Sequence, residues 1–362
     1  MRWSFRIGTV AGIRIEVHVT FLLMLGAYAW FTSTSPADAI RTTLDLLLLF
    51  GCVLLHELGH ALAARRYGIL TREIVLLPIG GVARLERMPE RPVQELVVAL
   101  AGPAVNVVLA IGLAGALYAL HRAPASLLDA AATGRTLEFL LVANVAMILF
   151  NLIPAFPMDG GRVLRACLAM ALPFARATRI ASIVGQGFAL VFALVGVFAF
   201  HNLLLVFIAL FVFMAAGEER AVVQTRASLT GLPVSAAMVT SFVSLETRHE
   251  LQHAVDLMLA GDQQDFPVLE QGELLGMLSR ADLIRGLREE GAEAPVGRVA
   301  RLDVQPVEAS WPLERALQRM RASRQSAVPV VARGELVGLL TLENVGELLL
   351  VQEARQRRAG VA

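Results

Sequence analysis

Two histidines and a glutamate stand close together in an apolar part of the chain, in the run His56-Glu57-Leu58-Gly59-His60. On a helix, the i,i+4 spacing places the two histidines on one face, where their imidazoles can share one metal ion. The glutamate lies one step round the helix and is placed to take a proton from a water molecule beside that metal. This pattern is typical of a zinc hydrolase, in which three protein ligands leave an open position for water.

The third ligand has to come from another part of the chain, and Asp159 is the strongest candidate. Pro154 and Pro157 loosen the end of the apolar segment that precedes it, and Gly160 and Gly161 permit a sharp turn of the backbone. The carboxylate can then point inward from a non-helical segment that is shielded by protein. The alternative is that Asp159 only marks the end of that segment at the membrane surface.

The composition is that of an integral membrane protein. Of the 362 residues, 56% are hydrophobic and only 17% are charged, which is too apolar for a soluble enzyme. A net charge of +1 indicates no nucleic-acid partner. Cys52 and Cys167 lie far apart in apolar segments and predict buried thiols without a disulfide. In such a chain, ionisable groups within a lipid-embedded helix are costly and favour a functional site over simple packing.

Hydropathy and charge predict about six transmembrane helices. If the N-terminus is cytosolic, the two inner loops between spans hold ten arginines, and the outer loops keep only Arg41, Arg122 and Arg135. We therefore expect a multi-pass protein of the cell membrane with both termini in the cytosol, and a metal site in the cytosolic half of the bilayer. The expected spans are residues 19–32, 44–64, 96–120 and 139–157, and two more within 180–217, joined by a turn at 201–202.

Two stretches suggest a small β element at the membrane. Residues 4–18 partly alternate in polarity around a glycine-containing turn and predict a short hairpin or an amphipathic sheath at the membrane surface. Residues 73–85 are β-like and too short to span. Residues 75–82 are predicted to offer an extended peptide segment a strand-like partner.

The C-terminal part is soluble in character and contains an internal repeat. An offset of 62 residues aligns Met258 with Met320 and Gly276 with Gly338. This self-similarity predicts two copies of one α/β unit that pack together. We expect a membrane domain at 1–217, a linker at 218–235, and repeats at 236–291 and 292–355.

Together, the metal motif and residues 151–161 resemble the paired signature of the site-2 protease family of intramembrane zinc metalloproteases, peptidase family M50. The repeat is similar to a pair of CBS domains, and the resemblance covers essentially the whole chain. It implies one Zn²⁺ per chain, held by His56, His60 and Asp159, with Glu57 as the general base. The implied activity is endoproteolytic cleavage of the transmembrane segments of membrane proteins in the lipid bilayer.

The resemblance also implies roles outside the metal motif. Asn106 matches a family motif whose asparagine steadies the substrate carbonyl, although a packing role among small residues is an alternative. Ser279 and Asp282 fit a Ser/Thr-x-x-Asp pattern that contacts adenine nucleotides, whereas Thr341 is followed by Asn344 in place of the aspartate. The nucleotide would tune the protease. A purely structural role, or a homodimer formed through the CBS domains, is the alternative.

Two other functions use parts of the same pattern. A CBS-gated membrane metal-ion transporter would use His56, His60 and Asp159 as an ion-transit site, but it would give Glu57 no necessary proton-transfer role. An inactive scaffold that binds membrane helices would have no need of the complete motif. The sequence therefore favours the zinc endopeptidase.

Overall fold

The computed structural model describes residues 3–32, 35–78, 80–86, 89, 91–120 and 136–358. The chain forms two compact units, Met1–Ala221 and Val222–Ala362. The first unit carries the metal motif and the second carries the internal repeat.

Apolar helices make up most of the first unit, and the predicted turn at residues 201–202 separates its last two. The helix that ends the fourth predicted span stops at Asn151 and not near residue 157, because Pro154 has no backbone N–H to continue it. The helices are α1 (Val19–Thr32), α2 (Pro36–Arg66), α3 (Pro92–Ala119), α4 (Thr136–Asn151), α5 (Asp159–Ala169), α6 (Phe174–Leu194, continued by a π-helical turn at Val195–Ala199) and α7 (Leu203–Leu229).

Three of the described helices are long and apolar enough to cross a membrane: Pro36–Arg66, Pro92–Ala119 and Phe174–Ala199. Two shorter apolar helices, Val19–Phe31 and Thr136–Asn151, accompany them. Membrane character is therefore confirmed, while the count of six spans stays a prediction. Arg122 and Arg135, which belong to the predicted outer loop, lie outside the described residues.

A four-stranded sheet in the order β1-β2-β3-β4 joins the two predicted β stretches. The hairpin expected at residues 4–18 is confirmed. Its second strand pairs in parallel with β3, and β3 pairs antiparallel with β4. The strands are β1 (Ser4–Val10), β2 (Ile13–His18), β3 (Thr71–Leu77) and β4 (Gly80–Leu85).

The topology corrects the prediction that all of residues 75–82 could accept a strand. Val75, Leu76 and Leu77 belong to β3, whose two edges are already used by β2 and β4. Among the described strands, β4 is the last one on that side of the sheet, and its outer edge is unpaired. Ile79, which was part of the predicted segment, lies outside the described residues.

Helix α2 lies between the sheet and the other helices. Leu58 and Ala61 on one face pack in a buried cluster with Ile13, Ile15 and Ile74 of the sheet. The opposite face packs against α3. The two metal-motif histidines lie on that second face, so the sheet supports the helix on the side opposite to the histidines.

The two cysteines differ in burial. Cys52 in α2 is buried as predicted, whereas Cys167 is exposed at the surface of α5, so the prediction was wrong for the second thiol.

The second unit consists of two copies of one pattern, as the repeat predicts. Each copy has a short strand, a helix, a two-stranded hairpin and a closing helix, and each forms its own three-stranded sheet. The first copy contains β5 (Leu245–Glu246), α8 (Leu251–Ala260), β6 (Phe266–Glu270), β7 (Glu273–Leu278) and α9 (Arg280–Glu289). The second contains β8 (Val307–Glu308), α10 (Leu313–Ser323), β9 (Ala327–Ala332), β10 (Glu335–Thr341) and α11 (Leu342–Arg358).

The repeated glycines have a packing role in these sheets. A Cβ at Gly276 would lie 2.1 Å from the carbonyl oxygen of Arg301, and one at Gly338 would lie 2.7 Å from that of Val239. In each copy, an extended segment crosses the hairpin at this point and forms a β-bridge. The matched glycines are therefore explained by close approach of the backbone.

Candidate metal centre

The two histidines of the motif are buried where α2 and α3 pack together. His56 and His60 are each 5% exposed. Gly59 lies between them, and a Cβ there would come within 2.8 Å of the Ala101 carbonyl oxygen. A small residue at this point lets the two helices approach closely.

Three potential metal-ligating atoms converge at this place. The Oδ2 atom of Asp159 lies 3.1 Å from Nε2 of His60 and 3.3 Å from Nε2 of His56, and the two nitrogens are 3.1 Å apart. A tetrahedral zinc site with bonds of about 2.0–2.1 Å has ligand atoms about 3.3 Å from each other. The structure thus brings together the three residues that the sequence singled out, at separations suited to one ion.

The hydrogen bonds on the far side of each imidazole fix its tautomer. Nδ1 of His56 lies 2.6 Å from the side-chain oxygen of Asn106, and Nδ1 of His60 lies 2.7 Å from the backbone oxygen of Val98. Both oxygens can only accept, so both Nδ1 atoms carry the proton and both Nε2 atoms present a lone pair. Two lone pairs and a carboxylate oxygen then face one another with no proton between them. Such a set of acceptors fits a cation such as zinc.

Space for an ion depends on Gly102 of α3. A Cβ at this residue would lie 2.2 Å from Nε2 of His60 and 2.8 Å from Cε1 of His56. Because Gly102 has no side chain, the space in front of the two imidazoles stays open. The sequence pointed to Asn106, four residues later on the same helix, and gave Gly102 no role of its own.

Asn106 is fully buried behind His56. Its amide nitrogen donates to the side-chain oxygen of Asn144 at 2.9 Å and lies 3.6 Å from the sulfur of Met147. Asn144 in turn donates to the Leu140 carbonyl oxygen at 2.8 Å. In this arrangement the Asn106 amide orients the imidazole, and its role towards a substrate carbonyl stays a prediction.

Asp159 begins α5, where a carboxylate is favoured by the partial positive charge of the helix N-terminus. The sequence predicted that the two glycines after Asp159 permit a sharp turn of the backbone. The structure gives them a different role. Gly160 and Gly161 are helical, and a Cβ at either would overlap the backbone of residues 152–156, at 2.3 Å from Ile153 O and 2.6 Å from Ala155 C. They allow α5 to lie tightly against the preceding turn, which directs Asp159 towards the histidines.

Glu57 lies beside the sheet edge. A Cβ at Gly81 of β4 would lie 2.6 Å from Cγ of Glu57, so the strand passes directly over this side chain. Among the residues that the structure describes, none forms a hydrogen bond with the Glu57 carboxylate. The Glu57 side chain is half-buried.

The predicted nucleotide-binding residues cap two helices of the second unit. Ser279 accepts a hydrogen bond from the backbone N–H of Asp282 at 3.2 Å, and Thr341 accepts one from Asn344 at 3.1 Å. The Asp282 carboxylate is fully buried and ion-paired with Arg285 and Arg301, at 2.7 and 2.9 Å. The Ser/Thr-x-x-Asp pattern therefore has a structural use as a helix N-cap.

Comparison with known proteins gives matches along most of the chain. Residues 45–134 and 121–195 match the model of peptidase family M50, and residues 234–289 and 296–350 match the CBS domain. A zinc metalloprotease of Methanocaldococcus jannaschii is 30% identical over 359 residues, which cover 98% of this chain and 99% of that protein. The stage IV sporulation protein FB of Bacillus subtilis is 30% identical over 171 residues, 46% of this chain and 52% of that protein.

Among solved structures, the site-2 protease from Methanocaldococcus jannaschii matches with a TM-score of 0.44 and 36% identity, over 60% of this chain and 95% of that one. The relative that aligns over nearly the full length decides the family. The chain therefore belongs to peptidase family M50, as a membrane zinc metalloprotease of the site-2 protease type that carries a pair of CBS domains.

Proposed function

We propose that His56, His60 and Asp159 bind one Zn²⁺ and that Glu57 is the general base of an endopeptidase that cuts transmembrane segments. One observation carries this proposal: two lone pairs and a carboxylate oxygen converge within 3.1–3.3 Å, with both imidazole protons committed elsewhere. A cation relieves the repulsion of such a set.

When bound, zinc supplies Lewis acidity, which polarises the scissile carbonyl and acidifies the attacking water. Glu57 removes a proton from that water while the water oxygen forms the new bond to the carbonyl carbon. The same carboxyl then gives the proton to the amide nitrogen as the C–N bond breaks. Asn106 and the Val98 carbonyl hold the imidazoles in one orientation and tautomer throughout.

The substrate segment has to be extended when it is cut, and β4 is placed to hold it. Within the described parts of the chain this strand has an unpaired edge, and it passes beside Glu57 at Gly81. An unwound segment that adds to this edge gains backbone hydrogen bonds in place of those it lost from its helix. Its scissile bond would then lie next to the general base.

Removal of the metal tests the proposed centre. We expect 1,10-phenanthroline to abolish cleavage of a single-span model substrate in proteoliposomes, and about one equivalent of Zn²⁺ per chain to restore it. The double variant His56→Ala/His60→Ala should contain no zinc. Full metal content and cleavage in that variant would refute the assignment, whereas metal flux without any cleavage by the natural chain would favour a transporter.

The chain supplies a matched control for the histidine variant. His249 and His253 also stand four residues apart, with ring centroids 4.8 Å from each other. In the described part of the chain, no carboxylate joins this second pair to form a three-ligand group. The double variant His249→Ala/His253→Ala is therefore expected to keep its zinc and its activity.

The proposal includes six spans in the cell membrane with both termini cytosolic. Support comes from the excess of arginine in the predicted inner segments and from the break that separates α6 from α7 at residues 200–202. Reporter fusions at each end of the chain test this arrangement. A periplasmic or extracellular signal at either terminus would overturn it.

We further propose that the CBS pair binds an adenine nucleotide and so regulates the protease. A cavity of about 460 Å³ in the second unit is lined by both repeats, with Ser279 and Asp282 from the first and Arg301 and Ser326 from the second. Burial raises the pKa of the Asp265 carboxyl, which also lines the cavity and accepts a hydrogen bond from Ser326. A ribose that displaced Arg301 from Asp282 would leave the guanidinium for a phosphate.

Calorimetry on the full-length protein in detergent checks this site. Asp282→Asn is expected to weaken AMP, ADP or ATP binding about tenfold or more, because a hydrogen bond to a charged group contributes about 1.5–3 kcal/mol. Asp303→Asn, at an exposed carboxylate of the same unit, is the control. If none of the three nucleotides produces heat at millimolar concentration, the CBS pair binds no adenine nucleotide and has a structural role. Light scattering on the same sample tests a dimer formed through the CBS domains.

A further inference from the structure

A buried arginine in the first unit has no part in the chemistry described above. Arg165 of α5 is 1% exposed, and its guanidinium is shared by two carboxylates. Nε donates to Glu95 at 2.8 Å and Nη2 donates to the same oxygen, while Nη1 donates to Glu219. The rings of Phe156 and Phe174 lie on the guanidinium, each with its centroid 5.0 Å from Cζ. A charge buried in this way is held rigidly by partners on every side.

These partners belong to segments that also carry the metal centre. Glu95 is in the first turn of α3, and Val98, three residues later on the same helix, accepts the hydrogen bond from His60. Arg165 is on the same eleven-residue helix as Asp159, and Phe156 is in the turn that precedes this helix. The ion pair therefore joins the helix that orients one histidine to the helix that presents the carboxylate.

We propose that Arg165 is a positioning residue for the protease: its pair with Glu95 locks α5 against α3 and so holds the Asp159 carboxylate at ligand distance from His60. The inference rests on the metal centre proposed above. Without the pair, α5 keeps its tight packing through Gly160 and Gly161 but loses the charged contact that joins its middle to α3. Because metal geometry tolerates only small displacements, a modest shift of α5 is enough to weaken binding.

The alternative is that the cluster contributes only to folding, and the two roles are separable. Arg165→Met alone leaves two carboxylates without their partner and can prevent folding. The triple variant Glu95→Met/Arg165→Met/Glu219→Gln removes all three charges together, so that no charge of the cluster is left unpaired. Replacing a buried ion pair by hydrophobic residues of similar volume is commonly neutral for stability, and a glutamine at the partly exposed position of Glu219 keeps access to water.

The experiment uses the full-length protein in detergent, loaded with Co²⁺, whose visible absorption reports the ligand set. For the triple variant we expect a kcat at least about tenfold lower with KM within twofold, Co²⁺ affinity about tenfold weaker, and a changed visible spectrum. Arg165→Lys keeps the charge but lacks the planar fork, and should give intermediate values. Arg176→Met, at an exposed arginine nearby, should behave as the natural chain.

Wild-type kcat, Co²⁺ affinity and spectrum in both the triple variant and Arg165→Lys would overturn the inference and leave the cluster a packing feature. A reference variant separates this result from failure of the metal centre itself. If Asp159→Ala leaves the Co²⁺ spectrum unchanged, the proposed ligand set is wrong. If Asp159→Ala changes the spectrum and the Arg165 variants do not, only the positioning role is refuted.

Discussion

Replacing Glu57 by Gln is expected to lower kcat for cleavage of a transmembrane substrate by about 10²–10⁴-fold. The amide keeps the size of the side chain but can neither accept the proton of the attacking water nor return it to the leaving amine. Metal content should stay at that of the natural chain, because the ligands proposed are His56, His60 and Asp159 and their separations do not depend on Glu57. KM should also change little, since Glu57 contacts the substrate only at the reacting bond.

Single-turnover cleavage in proteoliposomes and metal analysis of the same preparation measure both quantities. Glu86→Gln is the matched control, because Glu86 is an exposed carboxylate just after β4 that pairs only with Arg72 among the described residues. Loss of zinc from Glu57→Gln would show that the carboxylate is a ligand. Cleavage within a fewfold of the natural rate would exclude it as the base.

The sequence predicted those parts of the fold and site that depend on local spacing. A spacing of four residues from His56 to His60 is enough to place both imidazoles on one face of any helix. The 62-residue offset of the repeat predicted two equivalent α/β copies, and the matched glycines impose the same close approach of the backbone in each copy. The alternation of polar and apolar residues over residues 4–18 predicted the hairpin, because this pattern too is local.

Features that depend on how helices meet could not be predicted in this way. Asn106 lies 50 residues from His56, and Arg165 lies 70 residues from Glu95. Which side chains meet across α2, α3 and α5 is decided by the rotation and depth of each helix. A single chain shows none of this in its periodicity, because an apolar helix that is buried on several sides carries no clear polar face.

The sheet gives a second example of that limit. Strand propensity marked residues 73–85 correctly, but it gave no information on which strand would be the edge. That order follows from the parallel pairing of β2 with β3, whose residues are far apart in sequence. Among the described strands, the pairing leaves one side of β4 free and brings Gly81 to Glu57. Position in the sheet, and not composition, is therefore the reason for proposing that this strand holds the substrate.

Gly102→Ala is expected to abolish metal binding and cleavage while leaving the fold intact. The new methyl carbon would lie 2.2 Å from His60 Nε2 and 2.8 Å from His56 Cε1, well inside van der Waals contact. Both imidazoles are ends of side chains and can move away at modest cost in stability. Any such movement separates their nitrogens from each other and from Asp159, so we expect zinc affinity to fall about 100-fold or more.

Gly112→Ala provides the control on the same helix, because a Cβ at that position meets no atom within 4 Å. It carries the same change in helix propensity, which favours Ala over Gly by about 1 kcal/mol, and should keep full zinc content and activity. Zinc titration against a chelator and thermal unfolding of both variants measure the difference. Unchanged zinc affinity in Gly102→Ala would mean that the ion does not sit in front of the two imidazoles. Loss of zinc in that variant alone, at an unchanged melting temperature, would locate the metal beside Gly102 without any structure of the loaded enzyme.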